Sequence, residues 1–179
     1  MIKIFKISLI LVLILILFHL KQFLIKKNKY EILQINNKIN NYNSHLNEHL
    51  PLILKDHTID VIKNKLSPLT ITKKTLTNYD SENKYFTHSK DTLFLYTDKQ
   101  IKLTISSPNQ KNRFEYIQYK NPFKLYKNKN NDFSSISIIL RPNNLILIPR
   151  FWYVNIDNNE PFSIFYSDTI FSFLFKLIL

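Results

Sequence analysis

Few side chains in this sequence could carry chemistry, and their spacing decides which kind. His88 and Asp91, within "HSKD", offer an imidazole and a carboxylate, donor types that hold iron or zinc. On an extended strand, residues three apart point to different faces, so this pair would not converge on one ion. His45 and His49 stand four apart with Glu48 between them, but the H-E-x-x-H order of a zinc peptidase is absent. Solvated histidines on a polar connector are the simpler reading. His57 with Asp60, and Asp157 with Glu160, read as solvated groups beside strands or in turns. The chain has no cysteine and no glycine, which removes thiolate centres, disulfides, G-x-S-x-G nucleophile elbows and glycine phosphate loops.

The formal charge is +12, carried by 22 lysines and only 3 arginines. A phosphate-reading surface favours the bidentate arginine fork. Lysine, asparagine, isoleucine, phenylalanine and tyrosine together instead match a coding sequence rich in A and T, so nucleic acid is not an expected partner. Without glycine, every backbone position at positive φ must be filled at some cost. Asn130-Asn131, Asn143-Asn144 and Asn158-Asn159 are the expected substitutes.

Residues 1–27 are expected to form a membrane anchor. An uncharged apolar run spans Ile7 to Leu20, and the segment 4–25 is long enough to cross a bilayer with lysines at its ends. No small-residue cleavage site follows it. Lys21, Lys26, Lys27 and Lys29 outnumber Lys3 and Lys6, which points to a cytosolic C-terminal domain, and no asparagine lies in a glycosylation sequon.

Residues 28–49 read as a polar stalk or weak helix, with Ile32, Ile35 and Ile39 at loose helical spacing. From residue 50 to 179 the pattern changes to short apolar or alternating runs: "LPLIL", "TLFLYTD", "QIKLTIS", "SSISIIL", "LILIP", "WYVNI" and "FSIFYS". Such spacing predicts a mainly β sandwich or jelly-roll barrel. The last segment, 168–179, is apolar nearly all round and is expected to close the domain as a helix capped by Asp168.

Two blocks resemble the cupin-like, JmjC-related double-stranded β-helix. "DTLFLYTDKQIKLTISSP" (Asp91–Pro108) is similar to that family's strand pair ending in proline. "SSISIILRPNNLILIPRFWYVNI" (Ser134–Ile156) is similar to its hairpin followed by a proline-led aromatic strand, with Asn143-Asn144 in place of the usual Pro-Gly and Trp152 as an interior wedge. More narrowly, the order of anchor, degenerate cupin-like domain and closing helix resembles membrane proteins of large nucleocytoplasmic DNA viruses.

Active members of the wider family hold Fe(II) through an H-x-[DE] pair and a distant histidine. Carried over on the resemblance, these places fall at Phe86, His88 and Val154, and the basic residue that clamps the oxoglutarate falls at Ile101, flanked by Lys99 and Lys102. The set keeps at most one donor. The expectation is therefore a membrane-anchored, non-catalytic cupin-like domain without a cofactor, a virion or envelope protein that displays a surface to a protein partner or another copy of itself. Arg150, Phe151 and Trp152 are the expected contacts, because arginine and aromatics dominate interface hot spots. The rival expectation is a metal-dependent oxygenase with a non-standard centre using His88 and Asp91.

Overall fold

The computed structural model describes residues 2–24, 31–35, 48–56, 70–76, 84–88, 92–120, 123–129, 132–157 and 162–168. The apolar N-terminal run, uninterrupted by proline or glycine, forms α1 (Ile2–Leu24). Its described side chains expose one apolar residue after another, from Ile7 to Phe18. Among the described residues no helix is long and apolar enough to cross a membrane, and the expected span over 4–25 gains no support from them.

The strands are β1 (Leu33–Ile35), β2 (Leu52–Leu54), β3 (Thr70–Leu76), β4 (Lys84–His88), β5 (Thr92–Tyr96), β6 (Ile101–Ser106), β7 (Phe114–Lys120), β8 (Phe123–Asn128), β9 (Ile136–Leu140), β10 (Leu145–Pro149), β11 (Tyr153–Asp157) and β12 (Phe162–Asp168). They make two six-stranded sheets. One runs β1-β2-β10-β5-β12-β3, the other β7-β8-β4-β11-β6-β9. Within them lies an eight-strand frame, β3-β12-β5-β10 facing β4-β11-β6-β9. The chain changes sheet at every step of this frame except between β6 and β9, which pair directly. That order is a jelly roll, the arrangement in which cupins are also built. The mainly β expectation therefore holds at the level of strand order.

Period-two alternation explains why these segments face as they do. In β6, Ile101, Leu103 and Ile105 are buried while Lys102 is exposed. In β9, Ile138 and Leu140 turn inward and Ile139 outward. The inner faces of both sheets meet in one core that includes Phe86, Leu93, Leu95, Leu103, Ile146, Ile148, Trp152, Val154 and Ile164. The first sheet is buried on its other face too, where Leu52, Leu54, Phe94, Leu145, Leu147 and Phe165 cluster.

Several expectations are corrected. The connector 28–49 contains a strand, not only a stalk or helix: β1 pairs in parallel with β2, Leu33 against Leu52. Leu33 N–H donates to the Pro51 carbonyl at 2.9 Å, and Lys55 N–H to that of Ile35 at 3.1 Å. Burying Ile35 on a sheet face outweighs the loose helical spacing of the isoleucines. The segment "RPNN" does not close a hairpin, since β9 and β10 lie in opposite sheets. It is an arch, with Asn144 N–H donating to the Arg141 carbonyl at 3.2 Å and Asn143 at φ 62°. The first block behaves alike, β5 and β6 belonging to different sheets. Asp168 ends β12, opposite Thr70, and the closing helix expected after it lies outside the described residues. Residues 169–179 and the pairs Asn130-Asn131 and Asn158-Asn159 lie outside the described residues. Three further positive φ angles, at His49 (53°), Asp56 (55°) and Phe151 (70°), have no asparagine to announce them.

Candidate functional site

Two of the places carried over on the resemblance, Phe86 and Val154, lie side by side. β4 and β11 are neighbours, and Val154 stands directly across from Phe86. Both side chains point into the core, with Phe86 1% and Val154 0% exposed. Phe86 packs edge-on against Phe123 of β8, their ring centroids 5.1 Å apart. Ile101 is buried at the start of β6, while Lys99 and Lys102 on either side of it are exposed.

His88, two residues after Phe86 on the same face of β4, is 2% exposed. Its Nε2 lies 3.1 Å from the carbonyl oxygen of Ile148 in β10. A carbonyl only accepts, so Nε2 carries the proton and donates. The ring thus ties the second sheet to the first across the interior. Asp91 lies outside the described residues, as do His45, His57, Asp60 and Glu160. Among the described residues, no three or more histidines, cysteines, aspartates or glutamates are grouped as a metal site. Asp157 pairs instead with Lys102 at 3.6 Å on the open surface.

These residues do not fit the iron of the resembled family. A dication needs several oxygen or nitrogen donors to replace its hydration shell. Two of the three carried-over places present a benzyl and an isopropyl group, and the third presents an imidazole whose Nε2 is already engaged with a carbonyl.

The Arg150–Phe151–Trp152 turn links β10 to β11. Arg150 is 6% exposed and Trp152 1%, so these two side chains belong to the interior, and Phe151 is half-buried. Trp152 Nε1–H donates to the His49 carbonyl at 3.2 Å, joining the β10–β11 turn to the segment that enters β2. Both sides of that contact hold positive-φ residues, Phe151 and His49. A bulky aromatic in the left-handed region is uncommon and persists only where its surroundings fix it. Of the three residues expected as contacts, only Phe151 reaches the surface. Nothing in the residue types around His49 marks its carbonyl as the tryptophan's acceptor.

A second cluster lies on the outer face of the β7-containing sheet. Phe114 and Tyr153 stack with centroids 4.0 Å apart, and Tyr126 meets Tyr153 edge-on at 5.1 Å. Tyr85 packs against Phe114 and Phe133 at 5.0 and 5.4 Å. Burial pushes the Tyr85, Tyr126 and Tyr153 phenols above the ordinary tyrosine value, and Thr87 pulls back on Tyr126 through a hydrogen bond. Finally, a cleft of 660 Å³ opens where edge strands β1 and β9 approach, lined among others by Ile32, Ile53, Lys55, Ile138 and Arg141.

No protein family matches the chain, and no curated protein matches it. Among solved structures it is similar to the hydroquinone 1,2-dioxygenase PnpCD, crystallised with Cd2+ and 4-hydroxybenzonitrile. The similarity has 9% identity and a TM-score of 0.33, and it covers 57% of this chain and 59% of that one. A likeness of that degree carries nothing about site or activity, and the fold assignment stands on strand order.

Proposed function

We propose that the protein is a non-catalytic jelly-roll domain held at a lipid bilayer by α1, whose task is to present a surface to a protein partner. The single observation that carries this reading is the pairing of Phe86 with Val154 inside the core. The same topology that would gather ligands brings together two side chains that cannot ligate. Following the sequence resemblance, the reading extends to an envelope- or virion-associated membrane protein of a large DNA virus, with the β domain on the cytosolic side.

What motivates the anchor is the exposed apolar surface of α1, although no described helix is long and apolar enough to cross a membrane. The 23-residue backbone of α1 extends ~34 Å at 1.5 Å per residue, comparable with a ~30 Å hydrocarbon layer. The side chains from Leu9 to Phe18 are each at least 40% exposed. In water that stripe is costly on every face, because helix burial normally covers one side only. Lys6 and Lys21 are exposed toward its two ends, where ammonium groups can reach the headgroups.

Two experiments on the full chain test the two halves. After alkaline carbonate extraction of expressing cells, the protein is expected in the membrane pellet; release into the supernatant would overturn the anchor. Purified protein equilibrated anaerobically with Fe(II) and then desalted is expected to retain no stoichiometric metal. Retained metal that His88→Ala releases would favour the oxygenase reading instead.

A further inference from the structure

The eight-strand frame does not need the β7–β8 hairpin, which is inserted between β6 and β9 and added to the sheet edge beyond β4. Its composition is unlike that of the frame. Residues 108–129 carry six basic side chains and one acidic one, Glu115. On its outer surface, Tyr116 stands opposite Tyr126 and Tyr119 opposite Lys124. A register shift between Tyr116 and Gln118 leaves Ile117 outside the ladder. Tyr116, Ile117 and Tyr119 are 54%, 43% and 44% exposed, three large apolar or aromatic side chains within four residues of an edge strand. Lys111, Arg113, Lys127 and Lys129 are exposed as well.

We infer that this hairpin is a second membrane contact, docking onto a bilayer that carries anionic headgroups. The charge supplies long-range attraction, roughly 1 kcal/mol per basic residue close to an anionic surface. The three side chains supply short-range insertion: tyrosine rings sit at the headgroup level with hydroxyls toward water, and an isoleucine reaches the acyl boundary. A single-stranded nucleic acid would use the same lysines, but Ile117 among them has no π face to stack on a base. The basic set is also mostly lysine, a point charge suited to a diffuse anionic surface more than to a fork on one phosphate. The inference draws on the anchoring reading for a nearby bilayer, yet it stands on residues far from α1 in the sequence.

The absence of cysteine makes the test direct. Ile117→Cys labelled with nitrobenzoxadiazole reports the hairpin. Ile139→Cys, 61% exposed in wild type on β9 at the opposite edge of the same sheet, serves as control. The full chain is incubated with vesicles of phosphatidylcholine alone, or with about one-third phosphatidylserine. The inference predicts a several-fold brighter, blue-shifted label at position 117 on the serine vesicles only. High salt should reverse it, and Lys124→Glu with Lys129→Glu should abolish it while far-UV circular dichroism stays unchanged; position 139 should not respond. Equal signals on both vesicle types would overturn the inference. So would a larger salt-sensitive response to poly(U), which would assign the hairpin to RNA. Flotation of the same samples with phosphatidylcholine vesicles scores α1 separately, so loss of the anchor and loss of the hairpin contact are distinguishable.

Discussion

At the scale of single residues, Trp152 does more for the fold than any other side chain in its turn. It fills the core and spends its indole proton on the His49 carbonyl. Trp152→Ala is expected to cost roughly 3–5 kcal/mol through cavity formation, whereas Trp152→Phe removes chiefly the hydrogen bond and costs nearer ~1–2 kcal/mol. Denaturant midpoints of the two variants check the ranking. Phe151 gives a cleaner measure of backbone strain. Phe151→Gly and Phe151→Ala both delete the ring, but only glycine is at ease at φ 70°, so the glycine variant should be the more stable by about 1 kcal/mol. Equal stabilities would mean that the turn relaxes when the ring is lost. The tyrosines add a pH dependence. Burial holds the Tyr85, Tyr126 and Tyr153 phenols protonated in the folded state beyond the pH at which an unfolded chain ionises them. Below about pH 10 both states keep these protons and stability is unaffected. Above it the unfolded state alone releases them, so stability falls as pH rises. Absorbance titration at alkaline pH should show part of the tyrosine signal appearing only with unfolding; ionisation complete before unfolding would contradict this.

At the scale of elements, the sequence is legible where one face is wet and the other buried. "QIKLTIS" and "SSISIIL" alternate and become β6 and β9, and "LILIP" becomes β10, buried at every residue. The sequence pattern does not announce β3, "TITKKTL", or β8, "FKLYKN", whose lysines dilute the apolar signal. β8 forms because it pairs with β7 in a hairpin and with β4, a partner distant in sequence. The arches between sheets were beyond reach for a related reason: a short turn can close a hairpin or cross a sandwich, and only the distant partners of each strand decide. The carried-over ligand places fare better. Phe86, His88 and Val154 were placed by resemblance, and the β4–β11 register brings them to one region of the core. The fate of His88 was not readable, because its acceptor is a backbone carbonyl 60 residues away. Alternation itself makes a prediction in β9. Ile138→Ala should cost about 2–5 kcal/mol, while Ile139→Thr, on the outward face, should stay within about 0.5 kcal/mol of wild type. Thermal melts of the two variants check it, and similar losses would contradict the register.

At the scale of the whole molecule, a jelly roll can hold a metal or pack its interior with side chains, because the fold does not dictate the function. Here the core between the sheets is aliphatic and aromatic, with His88 acting as a tie between them. On the proposed reading, contacts are made at the periphery, where the exposed stripe of α1, the basic β7–β8 hairpin and the cleft between β1 and β9 lie. Orientation belongs to this scale too. Sequons engineered into exposed turns of the β domain, for example around Asp98, should remain unglycosylated if the domain faces the cytosol; their modification would place it in a lumen.

On the proposed reading, the places carried over from the resemblance serve as packing positions. Metal content of the purified full chain, measured after anaerobic exposure to Fe(II) and Zn(II) and compared with His88→Ala, tests it most directly. Neither protein is expected to hold a saturable ion, and the variant should melt at lower temperature because the tie to Ile148 is broken. One ion per chain in wild type, absent from His88→Ala, would contradict it.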